Sequence, residues 1–320
     1  MRKKIDKLIS HDSGVRLDAY LTKHFTGYSR SFFQNMIGRG YVRVDGVERE
    51  RSFRLSAGQL VEIKWPIEAG VRDEGSGVRM DGNWDFEKAI LFEDNEVLVL
   101  NKPSGLVVHP AGTSWLNHPR AALMESRPSL VGYLLKLRPK IIQRKVPRMG
   151  VVHRLDAETS GVMVVAKTAP AYNSLMNQFK LRQVKKVYRA VVKGAVKNDQ
   201  GLLEIPLGRK PHGRKIEVMG SGKEAVTGYR VVKRSSAATL LEVFPKTGRT
   251  HQIRVHLSTM GHPVVGDHLY GKKNEASGVP RMLLHAYQLE FDCPRTGKRV
   301  RFKAVVPTDF KKAWNFIKSE

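Results

Sequence analysis

The sequence predicts an α+β protein: a large, mainly antiparallel mixed sheet, preceded by a small N-terminal α/β domain. Three observations lead there. From about Asp85 to the end, β-rich runs recur and helical stretches are few, the pattern of a sheet-dominated α+β domain. Before that, roughly Val15 to Pro66 holds two helical stretches and a hairpin signal, enough for a small unit of its own. Between them the stretch EAGVRDEGSGVRMDGN is rich in glycine and charge and reads as a linker, with a long surface loop as the alternative. The expected division is therefore 13–66, a linker over 67–84, and 85–320.

Taken in order, RLDAYLTKHF places Leu17, Tyr20, Leu21 and Phe25 at helical spacing. Ser29 stands where an N-cap belongs, ahead of a second helix carrying Phe32, Phe33, Met36 and Ile37. Gly38 and Gly40 stop it. YVRVDGVERE alternates around Asp45-Gly46, a strong hairpin signal, and LVEIKWP is a strand ended by Pro66. In the second part VLVLNK, GVMVVAK, YRAVVKG, TLLEVF and VRFKAVV read as strands, and AYNSLMNQFK is the clearest helix. LLKLRPKIIQRKVPR, Leu134 to Arg148, is strongly basic and irregular and reads as an exposed loop suited to a phosphate backbone.

Composition narrows the function classes. The 320 residues include 56 Lys and Arg against 30 Asp and Glu, a net charge of +26. That excess attracts a polyanion, with nucleic acid ahead of an anionic membrane surface. No apolar run approaches the roughly 20 residues that span a bilayer. The basic start lacks the apolar stretch of a secretory signal. Cys293 is the single cysteine, so an intrachain disulfide and a cysteine metal cluster are both excluded, and a reducing, cytoplasmic setting fits. His251, His256, His262 and His268 do not follow common zinc spacings, and the expectation is no metal. GxxxxGK[ST], a strand-borne GxGxxG and GxSxG are absent, so the expectation is an enzyme without a cofactor.

Two stretches concentrate chemistry. GVVHRLDAETSGVMVVAKT, Gly150 to Thr168, sets Asp156 between an arginine and a small polar turn, flanked by β-like runs. Catalytic residues gather on such loops. A surface aspartate capping a turn is the alternative reading. VFPKTGRTHQIRVHLSTMGHPVVGDHLYG, Val243 to Gly271, collects Arg249, His251, Gln252, Arg254 and His256. As a strand it puts Gln252, Arg254 and His256 on one face and Ile253, Val255 and Leu257 on the other. A solvated basic strand is the competing reading.

HRLDAETSGVMVVAKT resembles the catalytic motif of the RluA-type pseudouridine synthases. Further blocks are similar to that family in the same order: LFEDNEVLVLNKPSGLVVHP, KKVYRAVVKG, TGRTHQIRVHL, GHPVVGDHLYG and LLHAYQLEF. Together they cover nearly all of the second part. VRLDAYLTKHF through LSAGQLVEI is similar to the small S-four RNA-binding domain, as in the RluC/RluD-like subgroup. The family's usual NG and GD turns are Asp45-Gly46 and Gly58-Gln59 here, each keeping the glycine. The segment between Pro110 and Met149 departs from the shorter, less basic connection expected.

The resemblance implies the pseudouridine synthase fold and the isomerisation of uridines to pseudouridine in RNA, most often of the large ribosomal subunit. Transfer or messenger RNA is the alternative substrate, and a non-catalytic RNA-binding or ribosome-assembly protein the alternative role. It implies Asp156, Tyr188 and Arg254 as catalytic residues. It implies RNA contacts at Arg154, Arg16, Ser29, Arg30, Arg39, Lys186, Arg249, His251 and Gln252, in a monomer that needs no membrane. A stacked uridine must be flipped out, at a cost of a few kcal/mol. Arg154 is the expected wedge, Tyr188 the ring that stacks on the base, and Arg254 the cation that favours the ionised form of Asp156. The basic runs KLRPKIIQRK and GRKPHGRK are expected phosphate contacts.

Overall fold

The computed structural model describes residues 5–65, 84–110, 114–117, 122–123, 128–209, 215–271 and 279–318. The expected linker, Trp84 apart, and the middle of GRKPHGRK lie outside the described residues. The chain forms two compact units. The first takes in Met1–Asn83 and Val107–Met149, the second Trp84–Leu106 and Gly150–Glu320.

In the first unit β1 (Ile5–Ile9), α1 (Leu17–His24), α2 (Arg30–Gly38), β2 (Val42–Val44), β3 (Val47–Glu48) and β4 (Leu60–Lys64) form two helices and an antiparallel sheet of order β1-β4-β2-β3. The amphipathic spacing becomes the core directly: Leu17, Tyr20, Leu21, Phe32, Phe33, Met36 and Ile37 are buried against Val42, Val44, Val61 and Ile63. Ser29 caps α2, its Oγ accepting from the Phe32 N–H at 3.2 Å. Asp45 and Gly46 both take positive φ in the β2–β3 turn, as a tight hairpin requires.

The same unit holds α3 (Ser114–Asn117), α4 (Leu130–Leu137) and α5 (Lys140–Gln143). Here the structure corrects the expectation of an exposed loop over 134–148. Leu134, Leu135, Ile141 and Val146 are buried, and Ser129 caps α4 by accepting from the Gly132 N–H at 3.1 Å. The dense lysine and arginine content masked an apolar helical face, Leu130, Val131, Leu134 and Leu135, that starts upstream of the basic run.

The second unit is built on β5 (Ile90–Glu93), β6 (Val97–Lys102), β7 (Ser160–Ala166), α6 (Ala169–Lys180), β8 (Lys185–Lys193), β9 (Gln200–Glu204), β10 (Leu207–Gly208), β11 (Glu217–Val218), β12 (Val226–Arg234), β13 (Ala238–Pro245), α7 (Gln252–Thr259), β14 (Leu284–Asp292), β15 (Arg299–Lys303) and α8 (Thr308–Ile317). Among the described residues nine strands form the main sheet, in the order β5-β6-β7-β14-β8-β13-β12-β9, with β15 also on β14. Among these described strands the β7–β14 pairing is parallel and the others are antiparallel. The mixed, mainly antiparallel α+β architecture expected from the strand-like runs is the one observed. Among the described residues no helix is long and apolar enough to cross a membrane.

The centre of this sheet sets up the site. Gly161 on β7 and Tyr188 on β8 stand either side of Ala286 on β14, and Tyr188 in turn pairs with Val243 on β13. The loop before β7 carries Asp156, and the loop after β13 leads into α7 and Arg254.

Candidate active site

Asp156 sits in the irregular stretch that precedes β7, and the carbonyl of Asp156 accepts from the Thr159 N–H at 3.1 Å to close a turn. The loop following β6 pins this turn from outside. Lys102, fully buried, donates from Nζ to the carbonyls of Pro103 at 2.8 Å, Leu106 at 2.8 Å and Ala157 at 3.0 Å. The Gly105 N–H donates to the Ala157 carbonyl at 2.8 Å and Ser104 Oγ to that of Glu158 at 2.7 Å. A buried ammonium stripped of water needs such acceptors, so the cation and the turn hold each other.

Gly161 ends the turn with φ of +122°. A Cβ there would stand 2.2 Å from the Ala286 carbonyl oxygen, so no side chain fits where β7 meets β14.

The RTHQIRVHL segment is a helix, not the strand its alternation suggested. The reason is burial: residues 252 to 257 are all buried, so apolar and polar side chains alternate around a short interior helix rather than across a sheet. Gln252 is the clearest correction. Its Oε1 accepts from Thr247 Oγ at 2.7 Å and the Arg249 N–H at 2.9 Å, while its Nε2 donates to the Val226 carbonyl at 3.0 Å and Thr227 Oγ at 2.9 Å. That amide fastens the helix start to β12 and has no donor left for RNA.

Arg254 projects from α7 to meet Asp156, its Nη1 donating to Oδ2 at 3.3 Å. Its other edge is held by Asp267, with Nε donating at 2.7 Å and Nη2 at 2.8 Å. Asp267 is itself fixed by the N–H groups of Leu269 and Tyr270 at 2.9 and 3.1 Å. Burial opposes the charge on both partners. The hydrogen bonds between them outweigh it, raising Arg254 above its ordinary value and holding the Asp267 carboxyl below its own. The ring of Tyr270 underlies the guanidinium at 5.1 Å. Asp267 and Tyr270 were missed as single residues; they lie in the GHPVVGDHLYG block, but only the fold brings them to Arg254.

Around Asp156 the chain encloses a cavity of about 500 Å³, within the range of small-molecule sites. Arg154, Lys186, Tyr188, Arg249, His251 and Arg254 all line it. Arg154 is exposed, and Arg249 donates from Nε to the Glu224 carbonyl at 3.0 Å. Burial, and then the charge of Asp156, push the Tyr188 hydroxyl above its usual range, so it stays protonated. Burial, with Arg182 adding to it, brings Lys186 down to about 8, and its Nζ donates to the Thr247 carbonyl at 3.3 Å. His153 packs on Phe179 with centroids 4.8 Å apart and accepts from the Val164 N–H at 3.0 Å; burial first, then Lys186, lower it to about 3, so it is neutral.

The four residues expected to contact RNA on the first unit each have a partner within that unit. Arg16 and Arg30 each fork onto the fully buried Asp18, at 3.1 and 3.1 Å and at 3.0 and 3.1 Å, and Gln34 Nε2 donates to it at 2.7 Å. Arg30 and Gln34 therefore hold α2 to α1, while Arg16 braces the first turn of α1. Ser29 is the helix cap, and Arg39 donates to the Leu123 carbonyl at 3.4 Å. Among the described residues no group of three or more His, Cys, Asp or Glu side chains is arranged to hold a metal ion.

A family model described as RNA pseudouridylate synthase matches residues 96–259. A protein of Neisseria meningitidis called ribosomal large subunit pseudouridine synthase D is 40% identical over 310 residues, covering 93% of this chain and 77% of that one. The protein of the same name in Pseudomonas aeruginosa is 40% identical over 313 residues, covering 93% and 90%. Among solved structures, human RNA pseudouridylate synthase domain containing 4 superposes with a TM-score of 0.54 at 28% identity, over 72% of this chain and 94% of that one.

Proposed function

Because this chain belongs to the RNA pseudouridylate synthases, isomerases that convert uridine to pseudouridine in RNA, we propose that it modifies uridines of large-subunit ribosomal RNA, with Asp156 as the catalytic carboxylate. The observation that carries the reading is the Asp156–Arg254 contact at 3.3 Å inside the cavity that Tyr188 also lines. The ribosomal substrate is supported by the named relatives, which match over nearly the whole of this chain.

The chemistry breaks the bond between N1 of uracil and C1′ of the ribose, turns the base, and joins C5 to C1′. C5 loses a proton and N1 gains one, so the reaction needs no outside reagent. A carboxylate at the junction of base and sugar serves as nucleophile or base. Arg254, gripped by Asp267, supplies a counter-charge whose position is set before substrate arrives. The aromatic face of Tyr188 suits stacking on an extruded base, and its protonated hydroxyl can exchange a proton with the ring. Arg154, exposed at the cavity, fills the gap left in the RNA stack in this reading, a role that suits a flat cation.

Residues 13–66 act in this account as an S-four-type RNA-binding domain and 85–320 as the catalytic domain. A net charge of +26 supplies sequence-independent affinity for phosphates. The protein works as a cytoplasmic monomer. The test is pseudouridine mapping across ribosomal RNA in a strain lacking this protein. Sites should vanish, return with the wild type, and stay absent with Asp156→Ala. An unchanged map in the deletion strain contradicts the assignment.

A further inference from the structure

His251 faces the same carboxylate from the other side. Its Nε2 lies 3.9 Å from Asp156 Oδ1, too far for a hydrogen bond, and both residues line the cavity. The residue is in the left-handed region, φ 53° and ψ 17°, directly ahead of α7. Such conformations in non-glycine residues persist where the surroundings impose them, and they gather at functional sites.

What imposes the ring's orientation is Tyr270. Tyr270 Oη lies 2.9 Å from His251 Nδ1, and the two rings meet edge to face at 78°. The same oxygen accepts from the Ile216 N–H at 3.1 Å. With that lone pair engaged, the hydroxyl proton needs an acceptor, and His251 Nδ1 is the one at hand. If His251 instead donated from Nδ1, the half-buried hydroxyl proton would lose that partner. Donation by Tyr270 makes Nδ1 the acceptor and leaves the hydrogen on Nε2, since the partner of one ring nitrogen decides the state of the other.

We propose that His251 is a substrate-binding residue whose Nε2–H is aimed by Tyr270 at a carbonyl oxygen of the pyrimidine ring beside Asp156. The inference rests on the pseudouridine synthase reading of this cavity and adds a donor to it. A pyrimidine carries carbonyls at C2 and C4, and electron density moves onto them when the glycosidic bond breaks. A neutral donor can meet that density without neutralising Asp156. Burial lowers His251 from its ordinary value, with Arg254 and Arg154 acting in the same direction and Asp156 and Asp267 against it. Tyr270 is then a positioning residue, and one short turn serves both neighbours of the carboxylate: Asp267 holds Arg254 and Tyr270 holds His251.

Selective ¹⁵N-histidine labelling of the full chain, read by long-range ¹H–¹⁵N correlation, tests the tautomer, with the His251 signals assigned by their loss in His251→Gln. The expected result is an unprotonated Nδ1 and a protonated Nε2 in the wild type, and a mixture of tautomers in Tyr270→Phe. Glutamine sets an N–H near the position of Nε2. His251→Leu should therefore slow single-turnover pseudouridine formation about tenfold, the worth of one good hydrogen bond, while His251→Gln keeps most of the rate and RNA affinity holds. A protonated Nδ1 in the wild type overturns the inference, as do Leu and Gln variants of equal rate. Absence of pseudouridine with the wild type sinks the underlying reading instead.

Discussion

Arg254 touches Asp156 with one nitrogen only, Nη1 at 3.3 Å, because its Nε and Nη2 are both taken by Asp267. The planar guanidinium thus bridges two carboxylates, one buried and structural, one facing the cavity. A lysine could reach one of them but cannot span both with fixed geometry. Arg254→Lys should lower the single-turnover rate by roughly 10²-fold, the scale of losing one preorganised electrostatic partner. RNA affinity should change little, because the contact is internal to the protein. Equal losses in rate and affinity would assign Arg254 to binding instead.

If Lys186 contacts RNA, as proposed, its lowered value gives that binding a pH dependence. Burial, reinforced by Arg182, brings it down to about 8. Below that value it carries a charge toward the cavity, and above it the charge is lost. Affinity measured at constant salt should therefore weaken on going from about pH 7 to about pH 9.5, well below the ordinary lysine range. Lys186→Arg keeps its charge and should flatten the profile. The stability sign runs the other way: a lysine whose folded value is depressed favours the folded state more as pH rises from about 8 toward about 10.4.

Asp18 sets an acid limit for the N-terminal unit. Burial opposes its charge, but the forks of Arg16 and Arg30 and the amide of Gln34 hold its carboxyl far below the usual range. Its contribution is present above the unfolded carboxylate value of about 4 and is lost as pH falls below it. The urea midpoint of the wild type should drop on acidification, and Asp18→Asn should be weaker at neutral pH yet less sensitive to acid. Parallel pH profiles for the two would remove Asp18 from this role.

Gly161→Ala should fail on packing. The added Cβ meets the Ala286 carbonyl oxygen at 2.2 Å, and the backbone at φ +122° is strained for any side chain. Backbone strain and overpacking each cost on the order of 1–3 kcal/mol, so a clear fall in melting temperature is expected. A melting temperature equal to that of the wild type would mean that β7 and β14 can separate at no cost.

Much of the fold was legible. Leu17, Tyr20 and Leu21, the Ser29 cap and the Asp45-Gly46 turn are local signals, and local hydrogen bonds and helical spacing decide them. The β-branched runs of β6 and β7 read as strands because both are interior strands buried along nearly their whole length. RTHQIRVHL misled because period-two alternation also arises in a helix buried on every side. Of the site, Asp156, Tyr188 and Arg254 were marked by motif. Asp267 and Tyr270 were not, since their partners lie 13 and 19 residues away along the chain and no local pattern encodes that pairing. That Arg16 and Arg30 also fork onto a buried Asp18 was not legible, since only the fold brings Arg30, 12 residues away along the chain, to that carboxylate.

The most direct measurement is single-turnover tritium release from C5-labelled ribosomal RNA by Asp156→Asn, alongside its RNA affinity. Asparagine keeps the shape and removes the charge. The expected outcome is RNA bound about as tightly as by the wild type, with no release above background. Release at a rate close to that of the wild type would contradict the account, because the reaction would then run without the Asp156 carboxylate.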